Sequence, residues 1–532
     1  MRYSELVKCY ERLEVTTKKL EKRDILSEFY RHSDNLEIVV PLSMGVIFPA
    51  GQQELGVARA TIRRIIAKTY GISESEVVYK FKETGDLGLT SEFFAGHRKQ
   101  TALARKDLTV QHVFENLRKL PGISGKGSQE RKISLVQELL SHAQPKEARY
   151  VVRAVLGDMR IGVAAGIVRD AIATAFNQDR HLVEHVFNIV GDFGTVADMA
   201  KKGKLKAEVA VGRPVRVMLA DRAPDLKSAI EEFENPALEW KYDGFRVQCH
   251  KTAQSVRVFS RRMEDVTNQF PDIVQVVNEN VKSRQFIVEG EVIAIKDDKP
   301  QPFQVLSRRI QRKYNIDKMV KEIPVQLNMF DLLHLNGKNY MQRPFKERWN
   351  ALKQIIKENK NFKLADHLET KDLKEATKFY KEALKNAQEG VIVKNLDAHY
   401  RPGKRVGYWL KVKEILEPLD LVIVGAEWGE GKRANWLGSM ILAARKGPAF
   451  VETGRMASGL TEEQMEELTK KLEPLIVSEE GKIVKVKPRI VLEIGYEEIQ
   501  RSPKYPSGYA LRFPRLLRVR DPADKKPEDA NT

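Results

Sequence analysis

Nine consecutive residues, Leu238-Glu239-Trp240-Lys241-Tyr242-Asp243-Gly244-Phe245-Arg246, concentrate the candidate chemistry of this chain. They read as a strand that ends in a Tyr-Asp-Gly turn and starts a second strand. Alternation puts Glu239 and Lys241 on one face. A lysine becomes a nucleophile when desolvation and nearby cations lower its pKa, and a strand end beside a tight turn holds one rigidly. Alone, the segment fits an ordinary hairpin with a surface lysine equally well. Further polar residues interrupt apolar strands downstream: Phe259-Ser260-Arg261-Arg262, Val288-Glu289-Gly290-Glu291-Val292, Glu389-Gly390-Val391-Ile392-Val393-Lys394 and Trp409-Leu410-Lys411-Val412-Lys413. Glu289 and Glu291 share one face of an otherwise apolar strand. Buried carboxylates are costly unless they meet a metal, a hydroxyl or a cation.

In this order the segments resemble the motif series of the covalent nucleotidyltransferases, most closely the ATP-dependent DNA ligases of archaeal and eukaryotic replicative type. The resemblance covers nearly the whole chain. It implies that the lysine of Lys-x-Asp-Gly, here Lys241, attacks the α-phosphate of ATP, releases pyrophosphate and carries AMP as a phosphoramidate that serves to seal nicks in duplex DNA during replication, repair and recombination. It further implies that Glu239 reads the adenine edge and that Arg246 and Arg261 contact ribose and phosphates. Glu291 would hold the ribose or a metal ion. Phe330, in Asn328-Met329-Phe330-Asp331, would stack on adenine, and Glu389 would bind Mg²⁺. Arg405, Lys411 and Lys413 would steady phosphates, and Arg515 and Arg518, in the segment 510–521, would orient the leaving pyrophosphate. The residue types match that chemistry, with cations where phosphate charge shifts, hard oxygens for Mg²⁺ and an aromatic face for a base.

The elements that must position these residues divide the 532-residue chain into about three domains. Residues 1–208 read as helical, with apolar positions at three- and four-residue spacing in 55–70 and 128–142. Ser128 is expected to cap the second of these, and Pro145 to open the next helix. From 209 to 415 β-rich runs alternate with helices, as in a mixed α/β adenylation domain: 237–241, 245–250, 256–260, 286–295, 325–330, 390–394 and 408–413. From 416 to 532, strands at 419–426, 440–443 and 483–496 around a helix at 461–472 fit a five-stranded oligonucleotide-binding (OB-fold) barrel.

The net charge of +18 suits a polyanionic partner and falls unevenly: +7 on 1–210, +11 on 211–415, none on 416–532. Two glycine turns that run into helices, Gly122–Ser128 and Arg160–Val163, offer backbone amides to phosphate, which the resemblance turns into sequence-independent contacts with nicked DNA. A sliding clamp is a further expected partner, with 97–103 as its contact. Two cysteines, Cys9 and Cys249, allow neither a disulfide framework nor a four-cysteine zinc site, and so argue against an NAD-dependent ligase with such a module. Neither Gly125-Lys126 nor Gly431-Lys432 completes a G-x-x-x-x-G-K-[ST] phosphate loop. With no apolar run near the roughly 18 residues of a membrane span and no signal peptide, a monomeric cytoplasmic, nucleoid-associated enzyme is expected. The alternatives are an RNA ligase or capping-type guanylyltransferase, which the large N-terminal helical region disfavours, and a silent DNA-binding scaffold, which the intact Lys241, Glu291, Glu389 and Lys411 disfavour.

Overall fold

A computed structural model describes residues 1–48, 55–98, 106–123, 125, 127–310, 312, 315–414, 416–429, 433, 435–457 and 459–532. Most of the segment 97–103 lies outside that set, as do Ser124, Lys126, Gly431 and Lys432. The chain forms two compact units, Met1–Lys413 and Glu414–Thr532. Among the described residues no helix is long and apolar enough to cross a membrane.

Up to Lys201 every described element longer than an isolated bridge is a helix. Their apolar stripes meet in one core around Tyr3, Leu6, Tyr10, Tyr30 and Tyr150, all fully buried. Charges are drawn into it with their partners: Arg153 is 3% exposed, and its guanidinium donates to Asp86, itself buried, at 2.8 Å and to Glu14 at 3.0 Å. Such burial is tolerated because the charge is paired and hydrogen-bonded. The helix expected at 128–142 forms as Ser128–His142, but Ser128 is its first helical residue and not its cap. Gly127 holds the cap position at φ +76°, a left-handed conformation that costs glycine little. Pro145 opens the next helix, Pro145–Leu156, where its missing N–H is no loss.

The described residues of the central region form twelve strands: β1 (Leu219–Arg222), β2 (Pro236–Trp240), β3 (Phe245–Lys251), β4 (Val256–Ser260), β5 (Phe286–Lys296), β6 (Lys299–Gln301), β7 (Val325–Leu335), β8 (Lys338–Asn339), β9 (Phe362–Leu364), β10 (His367–Glu369), β11 (Gly390–Asn395) and β12 (Arg405–Lys413). One sheet runs β1-β12-β11-β2-β10. The other runs β4-β3-β5-β7-β8, with β6 beside β5 and β9 beside β7. The turn after β2 is therefore not a hairpin: β2 and β3 belong to different sheets, and Lys241 to Gly244 carry the chain from one to the other. Only a residue without a Cβ fits at Gly244, since an added Cβ would stand 2.5 Å from the Val292 carbonyl oxygen on β5.

The C-terminal unit is β-rich. Its strands are β13 (Leu419–Trp428), β14 (Leu437–Lys446), β15 (Ala449–Met456), β16 (Ile476–Glu480), β17 (Ile483–Val486), β18 (Val491–Gly495), β19 (Glu498–Arg501), β20 (Tyr509–Arg512) and β21 (Arg515–Val519). Seven of them form one sheet in which β13 pairs β14 on one side and, successively, β18 and β17 on the other; β19 and β20 form a separate pair. This is more strand than the five expected. The run 483–496 is two strands because Pro488 removes a ladder donor between them. The helix Glu462–Leu472, capped by Thr461, buries Leu468 and Leu472 in this unit's core.

Candidate active site

Lys241 extends the β2 ladder by one residue: its N–H donates to the Gly390 carbonyl, and its own carbonyl accepts from Glu389 N–H, both at 2.9 Å. That register brings the two side chains together, with Lys241 Nζ 2.6 Å from Glu389 Oε2. Lys413, paired across to Gly390 on β11, places its Nζ 2.7 Å from the same oxygen. Burial raises the Glu389 carboxyl, but Lys241 and Lys413 outweigh it and hold the group well below the usual carboxylate range. Two cations on one carboxylate leave a local positive surplus. The approach of β11 to β12 is as close as backbone permits, because an added Cβ at Gly390 would lie 2.2 Å from the Val412 carbonyl oxygen.

From the second sheet, β5 supplies Glu289 and Glu291 on one face, as alternation requires. Glu291 stands opposite Arg246 in the β3–β5 register. Burial pushes its carboxyl up to about 7, against the pull of Lys241 and Arg246. Glu289 is fully buried and takes Arg246 Nη2 at 2.7 Å and the Tyr400 hydroxyl at 2.9 Å. The Arg246 guanidinium also donates to the Met218 carbonyl at 2.8 Å and lies over the rings of Phe330 and Trp409, 5.1 and 5.3 Å away. Arg261, which follows the end of β4, feels Arg246, Glu291 and Arg405, and burial with these cations lowers its pKa.

Glu239, 3% exposed, faces the same space. Its Oε2 meets Lys394 Nζ at 2.5 Å and its Oε1 meets His367 Nδ1 at 3.1 Å. Phe330 and Trp409 sit edge to face, centroids 6.1 Å apart, with Lys394 against both. Lys411 faces Ile392 across β11–β12, and Arg405 opens β12 at an exposed position. Thus Lys241, Glu239, Arg246, Arg261, Glu291, Phe330, Glu389 and Lys413 gather where the two sheets meet. Arg515 and Arg518 lie on β21 of the other compact unit.

Sequence reasoning gave no role to Lys394, His367, Trp409, Tyr400 or Glu289. Glu289, Lys394 and Trp409 lie in the polar-interrupted strand segments, and for the first two a charged residue in an apolar strand is the signal. His367 and Tyr400 carry no local signal, since only the fold brings them in. For a metal ion, Glu291 on β5 and Glu389 just before β11 offer two hard carboxylates. No cluster of three or more His, Cys, Asp or Glu that could hold a metal exists among the described residues. The pair of carboxylates suits Mg²⁺, which takes one or two protein carboxylates and fills its shell with phosphate oxygens and water.

Comparison with known proteins agrees along the whole chain. Residues 2–173 match the family model "DNA ligase N terminus", 217–413 "ATP dependent DNA ligase domain" and 433–523 "ATP dependent DNA ligase C terminal region". The DNA ligase of Thermococcus fumicolans is 45% identical over all of this chain and 97% of its own length. That of Archaeoglobus fulgidus is 43% identical over all of this chain and 97% of its own. In fold, the solved structure of Pmar-Lig_PreS3 superposes with a TM-score of 0.59 at 17% identity, covering 97% of this chain and 99% of the other. A helical N-terminal domain, a central adenylation domain whose two sheets enclose a lysine, and a β-rich C-terminal domain make this chain a member of the ATP-dependent DNA ligases, the enzymes that seal nicks in DNA.

Proposed function

We propose that Lys241 is the nucleophile of this ligase. Its amine attacks the α-phosphate of ATP and pyrophosphate leaves. AMP then passes from the lysine to the 5′-phosphate of a nick, and the 3′-hydroxyl displaces it to close the phosphodiester. The observation that carries this reading is Lys241 Nζ held 2.6 Å from Glu389, itself shared with Lys413 at 2.7 Å, where the chain crosses from one sheet to the other. The cationic surplus suits phosphate charge, which preorganised donors stabilise most where water is excluded.

Within this reading Glu239 meets the adenine edge and Phe330 its face. Arg246 and Arg261 serve the ribose and phosphates, with Arg405, Lys411 and Lys413 adding to the phosphate field. Arg515 and Arg518 serve the departing pyrophosphate. Glu291 and Glu389 would hold Mg²⁺, which when bound neutralises charge on the phosphate oxygens. Nicked duplex DNA is engaged by the basic helical region. The helices Ser128–His142 and Ala165–Ala175 both begin without a side-chain cap, and the positive end of a helix favours phosphate oxygens.

Lys241→Ala tests the assignment. Incubation with α-labelled ATP and denaturing electrophoresis should show no adduct, while a nick already carrying 5′-AMP should still be joined at reduced rate. Label retained on the variant would overturn the role of Lys241.

A further inference from the structure

Lys394 is among the most enclosed cations of the molecule, 1% exposed, and nothing in the adenylation reaction calls for it. Its ammonium lies 2.5 Å from Glu239 Oε2 and 3.3 Å from the Phe330 carbonyl, and over the rings of Phe330, Phe345 and Trp409 at 4.8, 4.4 and 4.4 Å. An aromatic cage of this kind attracts a cation at low hydration. The other Glu239 oxygen faces His367, whose ring is stacked on Trp349 at 4.3 Å. Tyr242, Asp331 and Arg246 complete the titratable and charged groups facing this pair.

We infer that Lys394 sets the base specificity of the site by keeping the Glu239 carboxylate ionised and fixed toward the purine 6-position; this rests on the reading of Glu239 as the group at the adenine edge. An ionised carboxylate only accepts hydrogen bonds. It therefore welcomes the 6-amino group of adenine and repels the 6-oxo group of hypoxanthine or guanine. A carboxyl 3% exposed without a cation beside it favours its neutral form. The neutral acid carries an O–H that can donate to a 6-oxo group. Lys394 thus decides whether Glu239 is an acceptor or a donor; burial holds its own ammonium below the usual lysine range, with Glu239 and Asp331 opposing that shift.

The test compares single-turnover attachment of nucleotide from α-labelled ATP and ITP, at pH 6 to 9. In Lys394→Met, which is one atom shorter, uncharged and suits the aromatic cage, the ITP-to-ATP rate ratio should rise roughly ten- to hundredfold near pH 6. An unchanged ratio in Lys394→Met overturns the inference. Glu239→Gln separates the two readings, since an amide offers both donor and acceptor. If it leaves the ratio unchanged, the adenine-edge reading fails. If it alone abolishes discrimination while Lys394→Met does not, the role of Lys394 fails.

Discussion

Arg246 on β3 is enclosed by Glu289, Tyr400, a backbone carbonyl and two aromatic rings, whereas Arg518 on β21 touches Glu493 with 59% of its side chain exposed. Within the adenylation domain charges are enclosed together with their partners: Glu239 with Lys394 and Asp331 with Arg348 are buried pairs, Glu289 is buried against a half-buried Arg246, and Glu389 and its two lysines are half-buried. Among the described residues of β21 and the segment after it, Arg520 is held comparably, 12% exposed and 2.7 Å from Asp420, while Phe513 and Leu517 beside the basic residues are themselves exposed. A buried network fixes geometry before the substrate arrives, and an exposed one is screened and adaptable. The adenylation domain therefore carries a preformed field, whereas Arg518 on the C-terminal strand is paired at the surface and screened by solvent.

The comparison breaks most visibly at Glu389. Glu389→Ala is expected to slow adduct formation by about a hundredfold or more, since it removes both the anchor of Lys241 and a hard oxygen. Raising Mg²⁺ should recover part of the loss if the carboxylate binds metal. Wild-type adduct formation in Glu389→Ala across a Mg²⁺ titration would remove both roles. Next is Asp331→Ala, which strands Arg348 where both side chains are fully buried. Loss of about 3–5 kcal/mol in urea unfolding is expected. A loss under about 1 kcal/mol would place this pair with surface ion pairs.

Smaller effects are expected on β21. Deleting 510–532 is not a clean probe, since β21 pairs with β18 and Asn531 exchanges hydrogen bonds with Asp420 at 2.6 and 2.9 Å. The substitutions Arg515→Ala and Arg518→Ala leave the sheet in place. Together they should slow adduct formation several-fold and spare the sealing of a pre-adenylated nick. Equal losses in both steps would assign these arginines to DNA.

The smallest effect concerns pH. Burial raises the Glu291 carboxyl from 4.5 to about 7, so the folded chain holds that proton more tightly than the unfolded one. Its contribution to stability declines as pH climbs from 4.5 to about 7, and the charged form a metal needs appears only toward the upper end. Adduct formation should rise through neutrality, and Glu291→Gln should flatten both dependences. A pH–rate profile unaltered by Glu291→Gln would show that another group titrates there.

Much is written in local order. The Lys241–Gly244 turn, the paired carboxylates on β5, the acid at the entrance to β11 and the lysines on β12 are each set by residue type and strand alternation, properties of a few neighbouring residues. The helical texture before residue 201 is likewise local, because a 3.6-residue apolar period needs no partner to be seen. The cap expected at Ser128 falls one residue earlier for an equally local reason: Gly127 supplies the left-handed conformation, and serine preference at a cap is only a preference.

What sequence could not decide is which strands share a sheet. Period 2 is the same for a hairpin and for two strands in different sheets, so the crossing at Lys241 was not visible. Nor was the partner of any buried charge: Tyr400 stands 111 residues from Glu289 and His367 stands 128 from Glu239, and Lys394 reaches Glu239 only because β11 lies beside β2. Pairing across such separations is selected by the cost of an unmatched buried charge, a penalty that exists only once the sheets have closed over the site.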